Sequence, residues 1–223
     1  MSDAEITYTS IVCATDAGEQ MGGPKALLAI RWGEGPGELP LAIAHARAHL
    51  DDGTPRVVIV VPSKVARVLS GFAQRGLDLI VSSEQGDASI KRALELLEAG
   101  PDDWLMIEPV GMPASSSAIR RELLHGAQSN PAVVQPIYEG RIGRPVLIRR
   151  RFLEPLVQGE EASLEAVIEG LTLRQQQDPA APAVLSVPVT DKRATTRFAT
   201  PADLEAFYGR PTKFFLEDEP TFG

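Results

Sequence analysis

Short apolar runs recur along the chain and alternate with longer segments in which apolar residues follow a helical spacing. The runs typical of buried strands are residues 11–14, 57–61, 79–81, 104–107, 132–136, 145–148 and 184–187. The segments with helical spacing are residues 41–50, 64–75, 89–99, 117–125 and 164–174. This alternation predicts an α/β fold: a doubly wound, mostly parallel sheet with helices on both faces.

The loop after the first apolar run has a composition suited to phosphate. It contains Gly18, Gly22 and Gly23, and Lys25 follows at once. Backbone N–H groups of such a loop and one ammonium group can face phosphate oxygens. Ligand loops of doubly wound sheets lie at the carboxyl ends of strands, where this loop is expected. Asp16, in the same loop, is a carboxylate that would repel a phosphate.

Composition narrows the class of protein. The chain has 223 residues, of which 43% are hydrophobic and 23% charged, as in an ordinary globular protein, and this length is enough for one large α/β domain or two small ones. Residues 211–223 are expected to form a tail. The net charge of −8 makes nucleic acid an unexpected partner. Cys13 is the single cysteine, and its apolar surroundings indicate an inert thiol. No apolar stretch reaches about 18 residues and the first residues lack a leader pattern, so we expect a cytoplasmic protein without membrane contact.

Four blocks of sequence, in order, carry a resemblance to a known family. They are residues 13–25 (CATDAGEQMGGPK), 86–94 (GDASIKRAL), 138–147 (YEGRIGRPVL) and 200–204 (TPADL). In these blocks the chain resembles the MobA/MocA-like nucleotidyltransferases, which include the molybdenum-cofactor guanylyl- and cytidylyltransferases. The resemblance spans about residues 11–208 and implies a single domain over residues 1–210, with a fold like that of the nucleotide-diphospho-sugar transferases.

The resemblance also implies a reaction and a set of site residues. Such enzymes bind a nucleoside triphosphate, hold Mg²⁺ with two aspartates and transfer a nucleoside monophosphate to a phosphorylated acceptor while pyrophosphate leaves. Lys25 would be the catalytic phosphate ligand. The residues that would contact nucleotide or acceptor are Ala14, Thr15, Gly18, Gly22, Gly23, Lys25, Ser89, Gly111, Gly143 and Arg144.

The chain departs from the family pattern at the charged positions. Asp16 replaces a loop glycine, Gln20 replaces the loop arginine, and Gly111 stands where a metal-binding aspartate is usual. The early acidic residues of the closing motif are also missing, and Arg144 replaces a histidine. Two like charges 4 Å apart repel by roughly 4 kcal/mol at an effective dielectric of 20, and a lost charged hydrogen bond costs about 1.5–3 kcal/mol.

These departures favour a nucleotide-binding scaffold in which nucleotidyl transfer is lost or reduced, with no metal ligands and a protein as a further partner. The alternative is an active cytidylyl- or guanylyltransferase that binds CTP or GTP and Mg²⁺ through relocated carboxylates. Glu108 and Asp191 are the candidates for such carboxylates, and Arg197 for a direct phosphate contact. Glu108 has a second interpretation, as a residue at the end of a strand that faces solvent or pairs with a helix.

Structural roles compete with the proposed ligand roles at several positions. The glycines of the first loop are also suited to turns, and Lys25 is also explained as part of the fold. Ser89 is placed to cap a helix. His45 and His49 lie four residues apart without a third ligand, which is more typical of a helix face than of a metal site.

Overall fold

The computed structural model describes residues 6–33 and 37–215 as an α/β structure. The strands are β1 (Tyr8–Cys13), β2 (Ala29–Arg31), β3 (Glu38–Pro40), β4 (Arg56–Val61), β5 (Leu77–Val81), β6 (Trp104–Pro109), β7 (Val133–Tyr138), β8 (Arg141–Ile142), β9 (Val146–Arg149) and β10 (Val184–Pro188). The α-helices are α1 (Leu41–Asp51), α2 (Ser63–Leu69), α3 (Asp87–Leu96), α4 (Ser117–Ala127), α5 (Glu154–Gln158), α6 (Leu164–Gln177) and α7 (Pro201–Tyr208).

The main sheet has the strand order β10-β7-β9-β6-β1-β4-β5, and β8 pairs with β7. Strand β1 is parallel to its two neighbours, β4 and β6, and β4 is parallel to β5. At the other edge of the sheet, β10 is parallel to β7. Strand β9 is antiparallel to β6 and β7, and β8 is antiparallel to β7. The prediction of a mostly parallel α/β sheet is therefore confirmed.

Both faces of the sheet are covered, which explains why its central strands are continuous apolar runs. In β4 the run from Val57 to Val61 is fully buried, as expected for a parallel strand between two helical layers. Helices α1, α2 and α4 pack on the face to which Val12 and Met106 point. Helices α3, α5 and α6 pack on the face to which Ile11 and Ile107 point.

Several local predictions change in the structure. The glycine-rich stretch 31–40 is expected to be a long loop, but β2 and β3 pair there as an antiparallel hairpin, and residues 34–36 lie outside the described part. The helix expected over 64–75 ends at Leu69. The sequence pattern also misses the short helices α5 and α7, whose few turns give too little periodicity to detect.

The beginning of the expected tail packs on the hairpin. The N–H of Ala29 donates to the carbonyl of Lys213 over 2.8 Å, and Leu28 forms a β-bridge with Phe214. The ring of Phe215 lies edge-on against Phe72, with centroids 5.8 Å apart. Residues 216–223 of the expected tail lie outside the described residues.

Across residues 6–33 and 37–215, no helix combines the length and apolar character that crossing a bilayer demands.

Candidate functional site

A cavity of about 500 Å³ lies at the carboxyl ends of β1 and β6. The loop after β1 forms one wall, and the start of α3 forms a second. The third wall consists of the start of α6 and the segment just before α7. The residues that line it are Cys13, Thr15, Asp16, Lys25, Gln85, Gly86, Asp87, Ile90, Ile107, Pro109, Gly111, Met112, Arg144, Leu164, Glu165, Arg197, Phe198 and Ala199. The cavity thus lies at the edge of the sheet where the loop after β1 was expected to bind a ligand.

Lys25 and Asp16 form an ion pair inside this cavity. The ammonium Nζ of Lys25 lies 2.7 Å from Oδ2 of Asp16, and the two side chains are 15% and 47% exposed, respectively. The other carboxylate oxygen, Oδ1, accepts a hydrogen bond from the N–H of Gly18 over 2.8 Å. Burial alone would raise the pKa of Asp16, but Lys25 and the Gly18 N–H outweigh it, so the pKa lies below its ordinary value.

Gly111 lies beside this pair. A Cβ atom built on Gly111 would be 3.5 Å from Nζ of Lys25 and 3.9 Å from Oδ2 of Asp16. The backbone is fixed there, because the N–H of Val110 donates to the carbonyl of Cys13 and the N–H of Phe198 donates to the carbonyl of Gly111. The segments after β1 and β6, together with residue 198, therefore form one rigid floor.

The glycines of the first loop shape its turn. Gly18 has φ +62°, and a Cβ atom there would lie 1.9 Å from the carbonyl oxygen of Gly23. Gly22 has φ +84° with open space around it, and a Cβ on Gly23 would contact the ring of Phe214 at 3.1 Å. Lys25 follows in a single 3-10 turn that leads into β2, rather than in the longer helical run that its apolar neighbours indicate.

Only some of the other expected site residues line the cavity. Thr15, Lys25, Gly111 and Arg144 line the cavity. Ala14 is buried behind it, with its N–H bonded to the carbonyl of Val60. Gly143 packs so closely on Ala194 that an added Cβ would lie 2.2 Å from its carbonyl oxygen.

Ser89 is not the cap of its helix, contrary to expectation. Gly86 is the N-cap of α3, which begins at Asp87, and the buried hydroxyl of Ser89 donates to the Gly86 carbonyl over 2.6 Å. Asp87 lines the cavity, and its carboxylate accepts from the N–H of Leu164 over 3.0 Å. Burial raises the pKa of Asp87 above its ordinary value.

Two arginines bring positive charge to the cavity wall. Arg144 forms an ion pair with Glu165 at the start of α6. Arg197 is exposed, and among the described residues no carboxylate forms an ion pair with it. Arg197 is therefore the cavity cation whose guanidinium remains available to an anionic ligand.

Cys13 ends β1 at the cavity wall. Burial raises the pKa of its thiol to about 12, so the group stays protonated at neutral pH. This agrees with the interpretation of Cys13 as an inert side chain.

The structure corrects the hypothesis that Glu108 supplies a carboxylate to the site. Side chains alternate between the two faces of a strand, and both neighbours of Glu108 along β6, Ile107 and Pro109, line the cavity. Glu108 therefore points to the opposite face, toward α1, where it is 2% exposed. Its Oε1 atom accepts hydrogen bonds from His45 Nδ1 at 2.6 Å and His49 Nε2 at 3.0 Å.

His45 connects this buried carboxylate to the floor of the cavity. Its Nε2 lies 3.0 Å from the carbonyl oxygen of Met112. Both ring nitrogens of His45 therefore face acceptor oxygens, one from a carboxylate and one from a backbone carbonyl. Burial would raise the pKa of Glu108, but the two histidines outweigh it and hold the pKa well below its usual range.

His49 completes the network in its neutral form. Burial lowers the pKa of its ring, so Nε2 carries the single proton given to Glu108, and Nδ1 accepts from the hydroxyl of Tyr8 over 3.0 Å. Burial also raises the pKa of Tyr8, which keeps this hydroxyl a donor. The sequence signal was the four-residue spacing of His45 and His49, which puts both on one face of α1.

Asp191, the other candidate carboxylate, has a local structural role. Its Oδ1 accepts from the N–H of Arg193 over 2.9 Å and so caps a 3-10 turn, Lys192–Ala194. It is not a lining residue of the cavity, so the structure gives no support to its relocation there.

Comparison with known proteins defines the family. Residues 10–179 match the MobA-like NTP transferase domain. Because this match covers most of the chain, the chain belongs to the MobA-like NTP transferase family. No curated protein matches the sequence closely enough to count as a relative.

Solved structures with the same fold include the following three. Rv0371c from Mycobacterium tuberculosis H37Rv superposes with a TM-score of 0.69 at 16% identity, over 93% of this chain and 100% of that one. A 4-diphosphocytidyl-2C-methyl-D-erythritol synthase from Anaerococcus prevotii gives 0.67 at 10% identity, over 92% and 97%. The molybdopterin-guanine dinucleotide biosynthesis protein A from Archaeoglobus fulgidus gives 0.61 at 15% identity, over 90% and 97%.

A divalent cation occurs in one of these similar proteins. A structure of Rv0371c in complex with manganese matches this chain with a TM-score of 0.68, at 16% identity and over 93% of this chain and 100% of that one. In the described part of the present chain, no group of three His, Cys, Asp or Glu residues forms a ligand set. Mg²⁺ in nucleotide sites is commonly held by one or two carboxylates plus phosphate oxygens. The half-exposed carboxylate of Asp16 fits a cation that arrives with a nucleotide, not one held by protein ligands alone.

Proposed function

We propose that the protein binds a nucleoside triphosphate, CTP or GTP, in the cavity at the ends of β1 and β6. The observation that carries this proposal is the position of Lys25, whose largely buried ammonium lies at the cavity floor beside Gly111. Arg197 adds a guanidinium free of ion pairs within the described residues. One ammonium, one guanidinium and the backbone of a glycine loop suit a polyphosphate chain.

Each remaining side of the cavity has a role in this proposal. Thr15 and the start of α3 line the space next to the loop and would position the nucleoside. Arg144 precedes β9 in the cavity wall and would line the acceptor side. A bound cation would neutralise the charge of the triphosphate.

In the same proposal, nucleotidyl transfer is reduced relative to family members that carry the usual aspartates. Gly111 offers no carboxylate, Asp191 is used as a cap, and Glu108 faces α1. Gln20 replaces an arginine that would contact phosphate. Transfer depends on charge neutralisation and in-line positioning, and both are weaker with fewer charged contacts. A scaffold of this kind would act with a protein partner.

An active metal-dependent nucleotidyltransferase is the second candidate. One observation favours it: the carboxylate of Asp16 lies 3.9 Å from the position that a Cβ of residue 111 would occupy. A carboxylate is thus present at this edge of the sheet, although it comes from the loop after β1 and not from the segment after β6.

Calorimetric titration of the four nucleoside triphosphates, each with Mg²⁺, with Mn²⁺ and with a chelator, tests the proposal. One nucleotide should bind in the presence of metal, and Lys25→Gln should weaken that binding by about tenfold or more, since a charged hydrogen bond contributes about 1.5–3 kcal/mol. Lys64→Gln, at an exposed position of α2, is the matched control. Absence of binding by all four nucleotides under all three conditions would contradict the proposal.

Whether the missing charges weaken nucleotide binding is tested by restoring them. The combined variant Asp16→Gly, Gln20→Arg and Gly111→Asp recreates the charges of the family motif. If the cavity is a nucleotide site with reduced charge, the variant should bind the same nucleotide more tightly than the wild type in Mg²⁺. Unchanged affinity in a folded variant would show that the missing charges are not what distinguishes this site.

A further inference from the structure

Asp16 occupies an unusual place for a carboxylate: it lies against the ammonium of Lys25 at the cavity floor. Its Oδ2 is 2.7 Å from Nζ of Lys25, and the side chain remains half exposed toward the cavity. We propose that Asp16 makes nucleotide binding conditional on a divalent cation, so that the site accepts the metal–nucleotide complex and rejects the free nucleotide. This inference rests on the proposed nucleotide site.

The charges at the floor support this selectivity. Lys25 alone would attract a triphosphate, but Asp16 offsets its charge, and the net charge that the pair presents is zero. A free triphosphate, with several negative charges, then gains little from Lys25 and is repelled by the adjacent carboxylate. A divalent cation between carboxylate and phosphates reverses the sign of that interaction, since both groups are oxygen ligands that Mg²⁺ and Mn²⁺ accept.

The missing side chain at residue 111 provides the space for this arrangement. A Cβ on Gly111 would already lie 3.5 Å from Nζ of Lys25 and 3.9 Å from Oδ2 of Asp16. A carboxylate on residue 111 would therefore project into the region that Asp16 and Lys25 now share. A side chain on residue 16 or one on residue 111 can thus place a carboxylate in the same region of the cavity.

A purely structural role for Asp16 makes a different prediction. Its Oδ1 accepts the N–H of Gly18, a bond that organises the loop. Asparagine retains one acceptor oxygen for this N–H, replaces the other carboxylate oxygen with an NH2 group and removes the negative charge. Asp16→Asn therefore separates the electrostatic role from the turn.

The test is calorimetry of CTP and GTP with wild type, Asp16→Asn and Asp16→Glu, each in Mg²⁺, in Mn²⁺ and in chelator. The measured quantity is the ratio of affinity with metal to affinity without it. In Asp16→Asn, affinity without metal should rise and the ratio should fall by about tenfold or more, given the strength of charge–charge interactions at this separation. Asp16→Glu keeps the charge and should keep a ratio closer to that of the wild type.

The control is Asp78→Asn, which removes one negative charge from an exposed ion pair with Arg56 on β4 and β5. It should leave the ratio unchanged, and thermal unfolding without ligand verifies that each variant is folded. A ratio in Asp16→Asn equal to that of the wild type would overturn the inference alone. A wild type that binds neither nucleotide under any condition would overturn the proposed function, and the inference with it.

Discussion

The carboxylate of Glu108 lies 2.6 Å from Nδ1 of His45, and both side chains are buried between β6 and α1. This contact links the strand that ends at the cavity to the helix behind it. The other ring nitrogen of His45 lies within hydrogen-bond distance of the carbonyl of Met112, a residue of the cavity wall. The pair therefore positions the segment 109–112, although neither group reaches the cavity.

Glu108→Gln should destabilise the protein by about 3–5 kcal/mol at pH 7. Removing one partner of a buried ion pair leaves the other charge without compensation, and that penalty is large. Denaturation in guanidinium chloride measures the change. Asp78→Asn breaks the exposed Arg56 pair and should cost no more than about 1 kcal/mol. Equal losses in the two variants would show that burial of Glu108 does not matter.

The contribution of Glu108 should depend on pH in a definite direction. Its pKa in the folded state lies well below the ordinary value of 4.5. A depressed folded-state pKa gives stability that is present above the unfolded pKa and disappears as the pH falls through the folded pKa. The stability gap between wild type and Glu108→Gln should thus be full at pH 7 and narrow progressively below about pH 4.5.

Denaturation curves for both proteins between pH 7 and pH 3 measure that gap. Because the other carboxylates are common to the two proteins, their titration cancels in the difference. A gap that stays constant down to pH 3 would mean that Glu108 is not stabilised in its charged form by the histidines.

Gly18→Ala should disrupt the loop after β1 far more than Gly22→Ala. Both glycines have positive φ, which costs alanine about 1–2 kcal/mol. At Gly18 the new methyl group would also lie 1.9 Å from the carbonyl of Gly23, so the turn must open, whereas at Gly22 there is free space. Nucleotide titration combined with thermal unfolding measures both effects. If the two variants show similar affinity and similar thermal stability, close packing is not the reason that glycine is required at position 18.

Arg197→Ala should weaken nucleotide binding by about tenfold or more, because a charged hydrogen bond to phosphate contributes about 1.5–3 kcal/mol. Arg193→Ala is the comparison: Arg193 is similarly exposed and lies near Asp191, away from the cavity lining. Calorimetric titration with the nucleotide measures the affinity of each variant, and only that of Arg197→Ala should fall. If both substitutions leave the affinity of the wild type intact, the guanidinium of Arg197 has no part in binding.

The fold followed from the sequence because its strongest signals are local. The run from Val57 to Val61 and the periodic segments that form α1, α4 and α6 are recognisable without knowledge of the tertiary structure. The hairpin of β2 and β3 was missed because its strands are three residues long and are held by Lys213, which is remote in sequence. The domain limit at residue 210 remains a prediction.

The site was harder to predict because its key relationships join distant parts of the chain. Asp16 and Gly111 are neighbours only because β6 lies next to β1 in the sheet, and strand order cannot be read from hydrophobic patterns. The face to which Glu108 points follows from alternation in β6. The identity of its partners, His45 and His49, required knowing that α1 covers that face.

The ring of Phe214 lies so near Gly23 that an added Cβ there would be 3.1 Å from it, and this proximity has a consequence for how the protein folds. The loop after β1 acquires its outer support from a segment almost two hundred residues later in the chain, through Phe214 and the neighbouring bridge to Leu28. Contacts of such long sequence separation form slowly. We therefore expect the loop after β1 to be among the last parts of the molecule to reach its final packing.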